Sequence, residues 1–262
     1  MAADILEKLA AHAEERVAAA KKEVPLEEMM ERAFAAEERE EFAFEKALTG
    51  EGIHFICECK KASPSKGLIA EDFPYLQIAK DYEAAGASAI SVLTEPKWFL
   101  GSNDYLKEIA AQVKIPVLRK DFTVDEYMIY EAKALGASAV LFICAILDHD
   151  RLAHYMDLAD GLGLSALVEA HDENEVLMAR DCGARVIGVN NRNLKDFTVD
   201  VNNSIALRKL VSEDILFVAE SGIKSRADVK ILEDNKVSGV LIGESLMRAE
   251  DKAKMLAELK GI

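Results

Sequence analysis

Proline is scarce in this chain, five in 262 residues, and there is no low-complexity tract. Disordered linkers are therefore not expected. No apolar run approaches the roughly 20 residues that a membrane-spanning helix needs. The opening MAADILEKLAAHAEERV is amphipathic but acidic, so it does not read as a targeting segment, and a cytoplasmic protein is expected. Positive charge is in deficit: 32 Lys and Arg stand against 47 Asp and Glu, a formal net charge of −15. A field of that sign opposes phosphate backbones and anionic lipid, so neither nucleic acid nor membrane is an expected partner. A small anionic substrate is admissible if a few cations cluster inside the acidic shell. The acidic surface and a free N-terminal helix fit a monomer or weak homodimer. Cysteine is limited to Cys57, Cys59, Cys144 and Cys182, whose spacing matches neither a zinc site nor a C-x-x-C redox pair. They read as small buried hydrophobes, and no metal is expected. The five histidines do not cluster in sequence and read mostly as surface residues.

What is present is regular. Residues 4–47 carry apolar side chains at helical spacing, interrupted at Pro25. Thereafter one unit recurs: YEAAGASAISVLTE (82–95), AKALGASAVLFICA (132–145), ARDCGARVIGVNN (179–191) and EDNKVSGVLIGES (233–245). Each ends a helix at a glycine or small polar residue and begins a β-branched strand. With HFICECK (54–60), KIPVLRKDF (114–122), LSALVEA (164–170) and ILFVAES (215–221), eight strands alternate with helices. That alternation predicts a parallel sheet with helical crossovers, and eight units predict an α/β fold, a (β/α)8 TIM barrel. One domain is expected over residues 1–262, with a helical extension over 1–48 and the barrel over 49–262. No G-x-G-x-x-G follows the first strand, which disfavours an open dinucleotide-binding sheet.

Function in such barrels collects at the C-terminal strand ends. Side chains alternate along a strand, so Glu58 and Lys60 share one face and Cys57 and Cys59 the other. An unpaired charge against the helix layer is costly, so Glu58 and Lys60 are assigned to the barrel mouth. The same parity sends Lys120, Glu169, Asn190 and Glu220 inward. Six polar groups then converge on one cavity. The loops after strands seven and eight, ESGIKSRADV and GESLMRAEDK, suit a phosphate, because Gly222 and Gly243 allow close backbone approach. Ser63 in SPSKG can add a donor, and the Glu244 side chain must then point away from the anion. The residues themselves admit a phosphate-binding sugar isomerase, an aldolase with Lys120 as Schiff-base nucleophile, and a non-catalytic phosphate-ligand-binding barrel.

The pieces ECKKASPSKG, LTEPKWFLGS, VLRKDF, LVEAHDE, IGVNNRNL, VAESGI and LIGESLMR run in order from residue 55 to 248. With the helical extension, they resemble the indole-3-glycerol phosphate synthase family. The resemblance implies a carboxy-lyase of tryptophan biosynthesis. It would act on 1-(2-carboxyphenylamino)-1-deoxyribulose 5-phosphate and need no metal or organic cofactor. It implies Lys120 as general acid, its pKa lowered by neighbouring cations, Glu169 as catalytic carboxylate, and Lys60 as second acid or carboxylate partner. Glu58 would orient the lysines, and Asn190, Glu220 and Ser221 would meet the ribulose part. Arg192 would meet the anthranilate part or orient Glu169. Phe99, Phe122 and Leu141 would form the slot for the ring. A tryptophan found near the N-terminus in some members has no counterpart here, since the one Trp is Trp98.

Overall fold

The computed structural model describes residues 5–37, 39–193 and 198–262. The expected helix start at residue 4 and Leu194 of the IGVNNRNL piece lie outside the described residues. Eight parallel strands close into a barrel: β1 (His54–Cys59), β2 (Ala89–Leu93), β3 (Val117–Lys120), β4 (Ala139–Ile143), β5 (Ser165–Ala170), β6 (Val186–Asn190), β7 (Leu216–Glu220) and β8 (Gly239–Ile242). Each strand pairs with its sequence neighbours, and β8 returns to β1 with His54 opposite Gly239. Both faces of every strand are covered, which is why the strands are nearly continuous in Val, Ile, Leu and Ala. Ile56, Leu118, Leu167 and Val218 are fully buried one pleat below the polar groups at the mouth.

The crossovers have local causes. Ser102, Asp125, Asp148, Asp172 and Ser225 cap α5 (Asn103–Gln112), α6 (Glu126–Ala134), α7 (His149–Gly161), α8 (Glu173–Asp181) and α10 (Arg226–Asp234), each accepting from a first-turn N–H. At the helix C-termini of the recurring unit, Gly86, Gly136 and Gly183 take the left-handed φ that ends a helix cheaply; in the fourth copy Lys236 adopts it, at φ 62°. The barrel's other described α-helices are α4 (Tyr75–Ala84), α9 (Asn202–Arg208), α11 (Glu244–Arg248) and α12 (Lys252–Lys260).

The N-terminal extension corrects one expectation, because its first helix is not free. Three helices, α1 (Ile5–Glu23), α2 (Leu26–Phe34) and α3 (Ala43–Lys46), wrap the barrel from mouth to base. Leu9, Ala13 and Val17, one stripe of α1, are buried. Arg16 makes a two-pronged pair with Asp121 at 2.6 and 3.0 Å, and Lys21 reaches Asp125 at 2.8 Å. Both aspartates follow β3, so α1 lies across the mouth. At the base, Phe44 and Leu48 are buried and the Glu45 N–H donates to Ser165 Oγ at the start of β5.

Ser63 also lies in a feature the sequence reading missed. SPSKG is not a bare turn: Ala62–Ser63 and Gly67–Leu68 pair as a small antiparallel hairpin over the mouth.

Candidate active site

A cavity of about 300 Å³ opens at the C-terminal strand ends. Glu58, Lys60, Lys120, Glu169, Asn190 and Glu220, the six groups assigned inward by parity, all line it. The three carboxyl residues are 2–3% exposed, so none of these charges could persist unpaired. Lys60 Nζ lies 2.6 Å from Glu58 Oε2. Lys120 Nζ sits between two other carboxylates, 3.1 Å from Glu169 Oε2 and 3.4 Å from Glu220 Oε2. Glu169 Oε1 accepts from Asn190 Nδ2 at 3.2 Å, and Asn190 Oδ1 accepts from the Arg192 N–H at 3.1 Å. These contacts join the ends of β3, β5, β6 and β7 across the mouth.

The electrostatics correct a second expectation. Lys120 is not depressed by cations. Burial works against its ammonium, but Glu169, Glu220 and Glu58 outweigh that and hold its pKa well above the usual lysine value. Burial likewise opposes the Glu169 carboxylate, yet Lys120, then His171 and Asn190, hold it well below the usual range. Glu220 goes the other way. Burial, reinforced by Glu169 and Glu58 and only partly offset by Lys120, pushes it up to about 7. Its Oε1 is buried without a hydrogen-bond partner among the described residues. Two carboxyls flanking one ammonium therefore have well-separated ionisations, as an acid–base site requires.

Phe99, Phe122 and Leu141 line the cavity, with the two phenyl rings 6.0 Å apart. Glu95 fixes the Phe99 loop: fully buried, it accepts from the N–H groups of Lys97, Trp98 and Phe99 at 2.7 to 3.0 Å. Ile5, Leu6 and Leu9 of α1 complete the apolar side. The N-terminal segment thus contributes without a tryptophan, and the hydrophobic stripe of ILEKLAAHAEERV was the available signal. Trp98 lies outside the cavity and meets His12 edge-to-face at 5.3 Å.

Ser63, Arg192, Ser221, Gly222, Gly243 and Glu244 also line the cavity. Ser221 and Gly222 both have positive φ, 65° and 86°, an unfavourable region for the serine. A Cβ on Gly243 would strike Glu58 Oε2 and stand 2.9 Å from Lys60 Nζ. The immediate need for this glycine is therefore the Glu58–Lys60 pair. The Glu244 carboxylate pairs with Arg248 at 3.2 Å and Lys66 at 3.6 Å.

Cys57, Cys59 and Cys144 are buried free thiols, and Cys182 is partly buried. The histidines divide: His149 and His154 are exposed, but His12, His54 and His171 are not. Sequence reasoning missed His171 beside Glu169, although strand parity two residues past Glu169 would have pointed it inward. Among the described residues, no cluster of three or more His, Cys, Asp or Glu could hold a metal, and no helix is long and apolar enough to cross a membrane.

Comparison with known proteins follows the same line. The solved thiamine phosphate pyrophosphorylase of Pyrococcus furiosus shares the fold, with a TM-score of 0.61 at 17% identity over 83% of this chain and 96% of that one. Curated proteins named indole-3-glycerol phosphate synthase are far more similar in sequence. That of Ruminiclostridium cellulolyticum is 59% identical, covering 98% of this chain and 99% of its own. That of Endomicrobium trichonymphae is 53% identical over the same shares of each chain. The family profile for indole-3-glycerol phosphate synthase matches residues 6–259, and the chain belongs to that family.

Proposed function

We propose that the protein closes the indole ring, converting 1-(2-carboxyphenylamino)-1-deoxyribulose 5-phosphate into indole-3-glycerol phosphate with loss of carbon dioxide and water. The observation that carries this reading is the placement of Lys120 between two buried carboxylates, beside an apolar slot, in one cavity.

The slot of Phe99, Phe122 and Leu141 takes the aromatic ring. The ring carbon bearing the carboxylate attacks the ribulose carbonyl carbon, and Lys120 donates a proton to the carbonyl oxygen. Because Lys120 is fully protonated at neutral pH, the proton moves only as negative charge builds on that oxygen. The C–CO2 bond then breaks, and its electron pair neutralises the iminium made by ring closure. A hydroxyl remains on the new carbon–carbon bond. Its departure as water needs a proton on the oxygen, and a base must take the proton from the carbon next to nitrogen. Glu169, held ionised, suits the base role. Lys60, held by Glu58, meets the substrate carboxylate or serves as the second acid. Asn190, Glu220 and Ser221 face the ribulose hydroxyls, and Arg192 faces the anthranilate side.

The phosphate is assigned to the mouth between Ser63, Gly222, Gly243 and the N–H groups opening α11. Two observations support this end. α10 already has the Asp228 N–H taken by its own capping box with Ser225, whereas α11 has no side-chain cap. The Glu244 carboxylate is also directed at Arg248 and Lys66.

Replacing Lys120 by alanine tests the reading. Turnover should fall by about 10²–10⁴-fold, the ordinary worth of a general acid, while the substrate still binds. Near-normal kcat would sink the mechanism. A borohydride-trapped substrate adduct on Lys120 would instead favour Schiff-base chemistry.

A further inference from the structure

His171 follows β5 and does not line the cavity, yet it is tied to the group proposed to move a proton there. Its Nδ1 is 3.0 Å from Glu175 Oε2 on α8, and the same oxygen accepts the His171 N–H at 2.7 Å. The opposite ring nitrogen, Nε2, lies 3.4 Å from Glu169 Oε1. It is buried and has no hydrogen-bond partner among the described residues. The ring is therefore placed between two carboxylates, with one nitrogen for each. Glu169 in turn has a nitrogen near each oxygen, Lys120 Nζ near Oε2 and His171 Nε2 near Oε1.

We propose that His171 is a positioning residue whose imidazolium, oriented by Glu175, holds Glu169 ionised and prevents it from taking the Lys120 proton before ring closure. This rests on the reaction proposed above. The physical need is plain. A carboxylate 3.1 Å from an ammonium in a buried site can neutralise the pair by accepting its proton, which would remove acid and base together. A second cation on the far oxygen makes that transfer unfavourable. When Lys120 does give its proton to the substrate, the imidazolium remains to balance Glu169.

The surroundings favour the charged ring. Glu169 from β5 and Glu175 from α8 face it, and Asp172 is its chain neighbour. Behind Glu169 stand Lys120 and Asn190. The α9 contribution is uncharged, Asn203 donating to the His171 carbonyl at 3.2 Å. Cys144, whose Sγ approaches the Glu175 carbonyl, stays neutral because burial raises its thiol pKa. Burial works against the imidazolium, but Glu169 and Glu175 outweigh it and push its pKa up to about 10.

Two variants and one titration test this. His171→Gln keeps a donor but no charge, and should lower kcat about tenfold with KM within about twofold. Glu175→Gln keeps an acceptor for the His171 N–H but not the charge. It should bring the alkaline limb of kcat down by at least about one pH unit, although residue 175 touches no part of the cavity. NMR of the ligand-free protein should show the His171 ring titrating well above the usual histidine range, and lower in Glu175→Gln. The proposal is overturned if His171 titrates at or below the ordinary value, if Glu175→Gln leaves the alkaline limb in place, or if His171→Gln changes KM more than kcat. The titration does not depend on turnover, so it separates this inference from the proposed reaction. It still decides the matter if His171→Gln does not fold.

Discussion

Between Glu169 and Glu220, the Lys120 ammonium is shared by two carboxyl groups whose ionisations differ sharply. The difference has a cost in stability that can be read with pH. Glu220 ionises near 7 in the folded protein against 4.5 for an ordinary glutamate. Between those values the folded state keeps a proton that the unfolded chain has lost, so this group's contribution falls as pH rises. Glu220→Gln has no such ionisation. Relative to wild type, it should gain on the order of 2 kcal/mol between pH 5.5 and 8.5, measured by denaturant unfolding. A constant difference across that range would show that Glu220 ionises normally. The same variant should lose activity, as expected where a site keeps a destabilising charge for function. At this scale period-two parity was a sufficient guide for Glu58, Lys60, Lys120, Glu169, Asn190 and Glu220. It could not give the sign of the Lys120 shift, because sequence order does not show which charges from other strands surround an ammonium.

Among the elements, α1 is the one whose role the sequence left open. Its apolar stripe announces a buried face, but a stripe does not name the surface that covers it. The pairing of Arg16 with Asp121 and of Lys21 with Asp125 fixes α1 to the loop after β3, directly beyond Lys120. Asp121 is fully buried, and its remaining partners are Thr94 at 2.6 Å, its own neighbour's N–H at 2.8 Å and Arg119 at 3.9 Å. Arg16→Ala should therefore cost about 3 kcal/mol, seen as a lower Tm, because a buried charge loses its main partner. It should also raise KM more than it lowers kcat, since Ile5, Leu6 and Leu9 on the same helix line the cavity. An unchanged KM would show that α1 stabilises the barrel without shaping the site. The short hairpin at Ala62–Ser63 and Gly67–Leu68 was illegible for another reason: strands of two residues carry no periodicity.

Across the whole molecule, the regular features were the legible ones. Eight strands alternating with helices, the repeated G-A-S and G-A-R junctions, and charges confined to strand ends led to the barrel and to its mouth. Net charge set the frame as well. In a chain at −15, Lys60, Lys120 and Arg192 stand in the cavity wall, so a small anion finds positive charge inside an acidic shell. What lay beyond the sequence was the set of long-range pairings, Arg16 with Asp121 and Lys120 with Glu169 and Glu220, because each joins elements that only the closed barrel brings together.

The most direct measurement of the central claim follows the purified protein with 1-(2-carboxyphenylamino)-1-deoxyribulose 5-phosphate in the presence of a chelator. Indole fluorescence should rise with release of one equivalent of carbon dioxide per product, and Lys120→Ala should show neither above background. Absence of the fluorescent product with folded wild-type protein, or its formation at an undiminished rate by Lys120→Ala, would contradict the account.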